Sequence, residues 1–273
     1  MPVNDELGKR MKENYEQVPK YRLVRRMPVI IRIDGKAFHS FTKGFARPFD
    51  GVLHRAMNRT MEYLCEHIQG CIFGYTQSDE ISLVLSDYKR LNSDAWFDYE
   101  VQKMCSIAAS MATMAFNRYF AIEVEEYFTD NTVPSSDDGD ETEYMFDSDI
   151  AERQYQAYVW AHTKGAMFDA RVFNIPKEEV VNCIYWRQLD AARNSVQMVG
   201  QTYFSHKELQ GKSCKVIQEM LHEQKGINWN DFPTQLKRGV CWTKDGGLNY
   251  EMPMLKGEDR KFLEDLVHYQ EEE

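Results

Sequence analysis

Pro28-Val29-Ile30-Ile31-Arg32-Ile33-Asp34-Gly35-Lys36-Ala37-Phe38-His39 is a β-branched, apolar run that stops at an aspartate and a glycine. Val and Ile fit the pleated surface of a sheet, and Pro28 and Gly35 bound the run. The stretch therefore predicts a buried strand leading into a short polar loop. Beyond it, Leu53, Ala56, Met57, Thr60, Met61 and Leu64 recur at helical spacing and predict an amphipathic helix ending near Gly70. Cys71-Ile72-Phe73-Gly74-Tyr75 and Ile81-Ser82-Leu83-Val84-Leu85 predict two strands joined through Thr76-Gln77-Ser78-Asp79-Glu80, a hairpin with acids at its turn. Residues 94–118, rich in Ala, Met and Ser, predict a long buried helix, and 119–124 a strand. The order β, α, β, β, α, β implies a small mixed sheet with both helices on one face, an α+β fold. Strands are further expected at 154–162 and 166–175, and helices from Pro176 to about Gln201 and over 205–224. On this reading 1–200 is the main domain, and 201–273 a helical or irregular C-terminal subdomain packed on it.

Composition bounds the function. Hydrophobic residues at 43% and charged residues at 28% are those of a globular chain, and no apolar run approaches the roughly 18 residues of a membrane span. The polar start MPVNDELGKR lacks the apolar core of a secretory signal, so a cytoplasmic location without membrane association is expected. Six cysteines without a CxxC pair argue against a zinc site or a disulfide framework. The net charge of −10 looks hostile to nucleic acid, but nine acids and no Lys or Arg lie between Asp130 and Glu152, and Glu271 to Glu273 add three more. Without those twelve the chain carries a net +2. The first 36 residues hold nine basic side chains against five acidic ones, so a phosphate-binding face is permitted; an ordinary charged helix and loop fits as well. The acidic stretch 130–150 has too little apolar content to pack and reads as a mobile insertion.

The end of a central strand and an adjacent hairpin turn share one edge of a sheet, which brings Asp34 near Asp79 across 45 residues of sequence. Two carboxylates about 5 Å apart repel by roughly 3 kcal/mol at an effective dielectric near 20, and a divalent cation is the usual reason for such a pair. Mg²⁺ takes one or two carboxylates plus phosphate oxygens, and two ions about 4 Å apart support in-line attack at phosphorus. Gly35 lets main-chain groups approach an ion or phosphate closely, and Lys36 to His39 offer N–H groups and an imidazole to a triphosphate. Taken alone, Asp-Gly is also a plain turn, Asp34 also suits pairing with Arg32, and Asp79-Glu80 also suits an exposed hairpin tip.

Further motifs follow in order. After Arg32-Ile33-Asp34-Gly35-Lys36-Ala37-Phe38-His39-Ser40-Phe41 come Arg47-Pro48-Phe49-Asp50, Gly74-Tyr75-Thr76-Gln77-Ser78-Asp79-Glu80-Ile81-Ser82, Phe168-Asp169-Ala170-Arg171 and Trp186-Arg187-Gln188-Leu189-Asp190. Together, across about 28–200, they resemble the successive motifs of the tRNA-His guanylyltransferase family. The resemblance implies a polymerase-palm-like domain that adds nucleotides to the 5′ end of tRNA in the 3′-to-5′ direction, and a homotetramer. It implies that Asp34 and Asp79 ligate two Mg²⁺, completed by the Gly35 carbonyl, with Glu80 beside them in the catalytic set. It assigns the triphosphate of GTP or ATP to Lys36, Ala37, Phe38, His39 and Ser78. Arg47 and Asp50 would serve the nucleotide region, and Lys103 is a further candidate phosphate contact or a solvated lysine.

One departure matters. Members dedicated to tRNA-His carry His-Ile-Asn-Asn just after the Trp-Arg-Gln segment, where this chain has Ala192-Arg193-Asn194-Ser195 and keeps only Asn194. The chain thus looks like the guanylyltransferase-like branch, whose preferred work is template-dependent repair of 5′-truncated tRNA. Dedicated addition of G at position −1 is the close alternative. A palm-like nucleotide- or RNA-binding protein, or a cyclase-like enzyme, is the alternative of another class. Arg187, Arg193, Asn194, Lys207 and Lys212 are the candidate tRNA contacts. The bare Gly211-Lys212-Ser213 lacks the upstream glycine of a Walker motif.

Overall fold

The computed structural model describes residues 5–90, 92–134 and 144–268. The chain opens with α1 (Glu6–Met11), then β1 (Val29–Gly35), α2 (Phe38–Phe41), α3 (Gly51–His67) and the hairpin β2 (Cys71–Gln77) and β3 (Glu80–Leu85). There follow α4 (Val101–Asp130), a small ribbon of β4 (Thr132–Pro134) and β5 (Tyr144–Phe146), α5 (Asp149–Lys164), β6 (Phe168–Asn174) and α6 (Lys177–Tyr203). Last come α7 (His206–Leu209), α8 (Cys214–Lys225), α9 (Thr234–Arg238), β7 (Val240–Thr243), β8 (Gly247–Asn249) and α10 (Lys261–Val267). Six strands form one sheet in the order β6-β1-β3-β2-β7-β8.

The α+β class and the order βαββαβ stand, with four corrections. Every pairing in the sheet is antiparallel rather than mixed. The closing strand of the unit is β6, because 119–124 continues α4: Ala108, Ala112, Phe116, Phe120 and Val124 bury one stripe at helical spacing. Residues 154–162 likewise belong to α5, whose Ser148 cap accepts a hydrogen bond from the Ala151 amide. Helices also cover both faces. α3 and α4 pack together on Val29, Ile31 and Ile33, as expected, while α6 and α10 pack on Ile30 and Val84 across the sheet. Beyond α6 the chain extends the sheet through β7 and β8. Of the acidic stretch 130–150, residues 135–143 lie outside the described residues; its flanks end α4, form the ribbon and begin α5.

Local chemistry sets the helix ends. Asp50 caps α3 by accepting from the Leu53 amide at 2.9 Å, and its carboxylate also accepts from the Ala46 amide and the Tyr158 hydroxyl at 2.8 and 2.7 Å. α4 starts only at Val101 because Phe97, Asp98 and Tyr99 are left-handed, with φ of 51°, 54° and 54°. Such residues cost about 1–2 kcal/mol each; Arg22 and Arg25 hold Asp98, and Tyr99 is buried. The border strand β6 is sealed by α4: Thr113 Oγ1 accepts from the Phe168 amide, and the Asn117 amide bonds both the N–H and the C=O of Ala166. Among the described residues no helix is long and apolar enough to cross a membrane.

Candidate active site

The site forms where β1 ends beside the β2–β3 turn. The Gly35 amide donates to the Asp79 carbonyl at 3.0 Å, which fastens the strand end to the hairpin and brings the two aspartates together. Gly35 is required there because a Cβ would lie 2.3 Å from the Phe38 ring. Asp34 stands directly opposite Glu80 on β3 and Asp169 on β6, so the three carboxylates share one sheet face. The Asp34 side chain is 40% exposed, with the Arg171 guanidinium 4.0 Å away and shared with Asp169 at 3.5 Å. Burial pushes the Asp79 carboxyl above the usual range; the Ser78 hydroxyl, donating at 3.0 Å, opposes this, and the charges of Asp34 and Glu80 add to it.

Next to this pair lies a cavity of about 550 Å³, lined by Gly35, Ala37, Phe38, His39, Arg47, Asp50, Ser78 and Asp79 together with Met198 and Gln201 of α6. Its volume suits a nucleotide. Six of the eight residues expected at the nucleotide line it. Lys36 does not: its side chain borders a separate cavity of about 170 Å³ with Phe41, Lys164 and Met167. Lys103 is also elsewhere, with its ammonium over the Phe97 ring at 5.1 Å. Asp50 lines the cavity, yet its carboxylate is engaged by Ala46, Leu53 and Tyr158, so it shapes the wall.

Glu80 and Arg187 require correction as well. Arg187 Nε and Nη2 donate to the Glu80 carboxylate at 2.6 and 2.9 Å, and Arg32 donates to it at 2.9 Å, so Glu80 is committed to ion pairs. Arg187 also pairs with Asp190 and is nearly buried, which removes it from the residues free to meet RNA. Arg193, Lys207 and Lys212 are exposed and Asn194 is half-buried. Gln188 explains the middle of the Trp-Arg-Gln motif: fully buried, it donates to the Pro253 carbonyl and accepts from the Leu255 amide, both at 2.9 Å.

No three metal-ligating side chains converge among the described residues. Two carboxylates without a zinc-type ligand set suit a hard cation whose remaining ligands are phosphate oxygens and water. The burial of Asp79, which no Lys or Arg pairs among the described residues, is the feature a cation would relieve. Sequence reasoning gave no role to Asp169 and Arg171; the alternation of β6 against Asp34 and Arg32 was the signal for them. Met198 and Gln201 carried no such signal.

A family model described as tRNAHis guanylyltransferase matches residues 8–176. The tRNA(His) guanylyltransferase of Schizosaccharomyces pombe is 26% identical over 255 residues, spanning 86% of this chain and 81% of that protein. A solved bacterial tRNA(His) guanylyltransferase-like protein in complex with ATP matches with a TM-score of 0.79 and 37% identity, covering 96% of this chain and 100% of that chain. A bacterial counterpart in complex with GTP gives 0.73 and 33%, covering 96% and 99%.

Proposed function

Because this chain belongs to the tRNAHis guanylyltransferase family, we propose that it repairs 5′-truncated tRNA by template-directed, Mg²⁺-dependent addition of nucleotides in the 3′-to-5′ direction. The chain is a nucleotidyltransferase. ATP and GTP enter the reading as substrates from the bacterial complexes, and the cavity beside Asp79 has room for either. Homotetrameric assembly and a cytosolic location belong to the same reading.

The choice of templated repair over dedicated G addition rests on one observation. The α6 segment Ala192-Arg193-Asn194-Ser195 departs from the dedicated pattern, and its last member is spent on packing: Ser195 is fully buried and accepts a hydrogen bond from the Trp229 indole at 3.0 Å. A side chain so used is not available to select an anticodon.

In this reading Asp34 and Asp79, with the Gly35 carbonyl, hold two Mg²⁺, which would lower the pKa of the attacking hydroxyl and neutralise the leaving group. Main-chain N–H groups over 37–39, His39 and Ser78 orient the triphosphate, the Lys36 amide being spent on the Met167 carbonyl at 2.8 Å, and Arg47 lies along the same wall. A 5′-monophosphate first attacks the α-phosphorus of ATP, releasing pyrophosphate and leaving an adenylylated end. The 3′-hydroxyl of the incoming nucleotide then attacks the tRNA 5′-phosphorus and AMP departs. An end already carrying a triphosphate skips the first step. The test is to supply tRNAs lacking the first nucleotide with each of the four opposing bases. The product should carry the pairing nucleotide in every case, and equal G addition to all four would establish dedicated guanylylation instead.

A further inference from the structure

The sheet face that carries Asp34 is only partly covered. α6 packs over Ile30 and Val84, while Asp169, Arg171 and Phe173 on β6 remain exposed. The helix borders this opening with Trp186, Leu189 and Arg193, which are three and four residues apart and so form one stripe. Trp186 is 53% exposed, Leu189 45%, and the Arg193 side chain 60%. A large aromatic surface left open beside catalytic carboxylates is a recognition feature rather than core.

The Trp186 ring is also held in place. The Arg187 guanidinium lies 4.4 Å from its centroid and that of Arg32 5.4 Å. Both arginines grip Glu80, the neighbour of Asp79, and Arg32 is one pleat below Asp34 on β1. The ring is therefore a fixed π-surface tied to the hairpin that carries the site. Cations stand close by: among the described residues Arg193 pairs only with Asp190 at the surface, a weak type of pair, and Arg171 is divided between Asp34 and Asp169 at 4.0 and 3.5 Å.

From this arrangement, and resting on the reading of the chain as a tRNA 5′-end polymerase, we propose that Trp186 is the stacking platform for a base of the tRNA acceptor end, with Arg193 and Arg171 on the adjoining phosphates. Asp34 is the cross-strand neighbour of Asp169 in this opening, and none of Asp169, Arg171, Trp186, Leu189 and Arg193 lines the nucleotide cavity, so the two reactants would have separate places. Stacking accepts any base, because every base has a π-face. An enzyme that extends ends of differing sequence needs a contact of that kind.

The experiment compares wild type, Trp186→Ala and Trp186→Phe in filter binding to a 5′-truncated tRNA without nucleotide, in ATP binding by calorimetry, and in size-exclusion elution. Trp186→Ala should weaken tRNA binding roughly tenfold, Trp186→Phe should keep most of the affinity, and ATP binding and elution should not change. Wild-type affinity for tRNA in Trp186→Ala would overturn the proposal. So would equal loss of tRNA and ATP binding in both variants, which would make Trp186 a strut, or a smaller particle with tRNA affinity intact, which would make this face a contact between copies. Nucleotide addition by the wild type is measured on the same tRNA. If it binds tRNA but adds nothing, or adds G whatever the opposing base, the functional reading fails, whereas the platform is judged on the binding ratio alone.

Discussion

Alternate residues of β1 meet opposite surroundings. Val29, Ile31 and Ile33 are fully buried against α3 and α4, where Phe38, Phe41, Phe116, Phe120 and Phe168 interlock with ring centroids 5.0 to 5.7 Å apart. Arg32 and Asp34, one position away, look onto a face where Arg171, Glu80, Arg187 and Asp190 form chains of charge. One face resists deformation because its rings fill space and have no polar alternative. The other holds carboxylates that are costly to keep together, and it can do so because the first supplies the stability. The comparison also separates neighbours in sequence: Glu80 is paired with two arginines, while Asp79 keeps a burial cost that the Ser78 hydroxyl offsets only in part.

The sharpest way to break this division is Asp34→Ala. Turnover on truncated tRNA should fall about a thousandfold or more, on the order of 4 kcal/mol of barrier, with an unchanged melting curve. Unchanged turnover would remove Asp34 from the chemistry. The reciprocal change, Phe116→Ala, should cost about 3–5 kcal/mol of unfolding free energy in urea, with activity per folded molecule preserved. A normal melt would mean that the aromatic face is not the stabilising one. The smallest effect sharpens the contrast. With magnesium present, Asp79→Asn should abolish activity; with magnesium chelated, it should raise stability at neutral pH by about 1 kcal/mol relative to wild type. Because the folded-state pKa of Asp79 is raised, its protonated form favours the fold, and that contribution is lost as pH rises through the raised value. The gain over wild type should therefore vanish as pH drops below the ordinary carboxylate range. A variant less stable at both ends would refute the account.

The parts legible in the sequence are those where a local pattern and the tertiary structure agree. Residues 28–34, the α3 stripe and the hairpin all read correctly because period and flanking Gly or Pro point the same way. The segment 119–124 misled because Tyr119, Phe120, Ile122 and Val124 favour strands by type, whereas the Ala108–Ala112–Phe116–Phe120 spacing that decides the matter lies upstream. Helix 205–224 is in fact two, α7 and α8, broken at Gly211, which has φ of 75°. In the site, Asp34, Gly35, Ser78 and Asp79 were visible as strand-end and turn residues. The engagement of Glu80 by Arg187 spans 107 positions and has no local trace. Nor could any spacing rule bring Met198 and Gln201 to the nucleotide cavity.

The contacts of Thr113 and Asn117 with β6 have a consequence for the molecule in a crowded cell. The exposed margin of an antiparallel sheet is where a stray extended chain docks and where fibrillar growth begins. Here helical side chains imitate the missing neighbour by occupying the Ala166 and Phe168 main-chain groups. The margin beside the carboxylates is thereby closed to recruitment by other polypeptides without a proline or a bulge, and the adjoining opening stays clear for a ligand that does not bind as a strand.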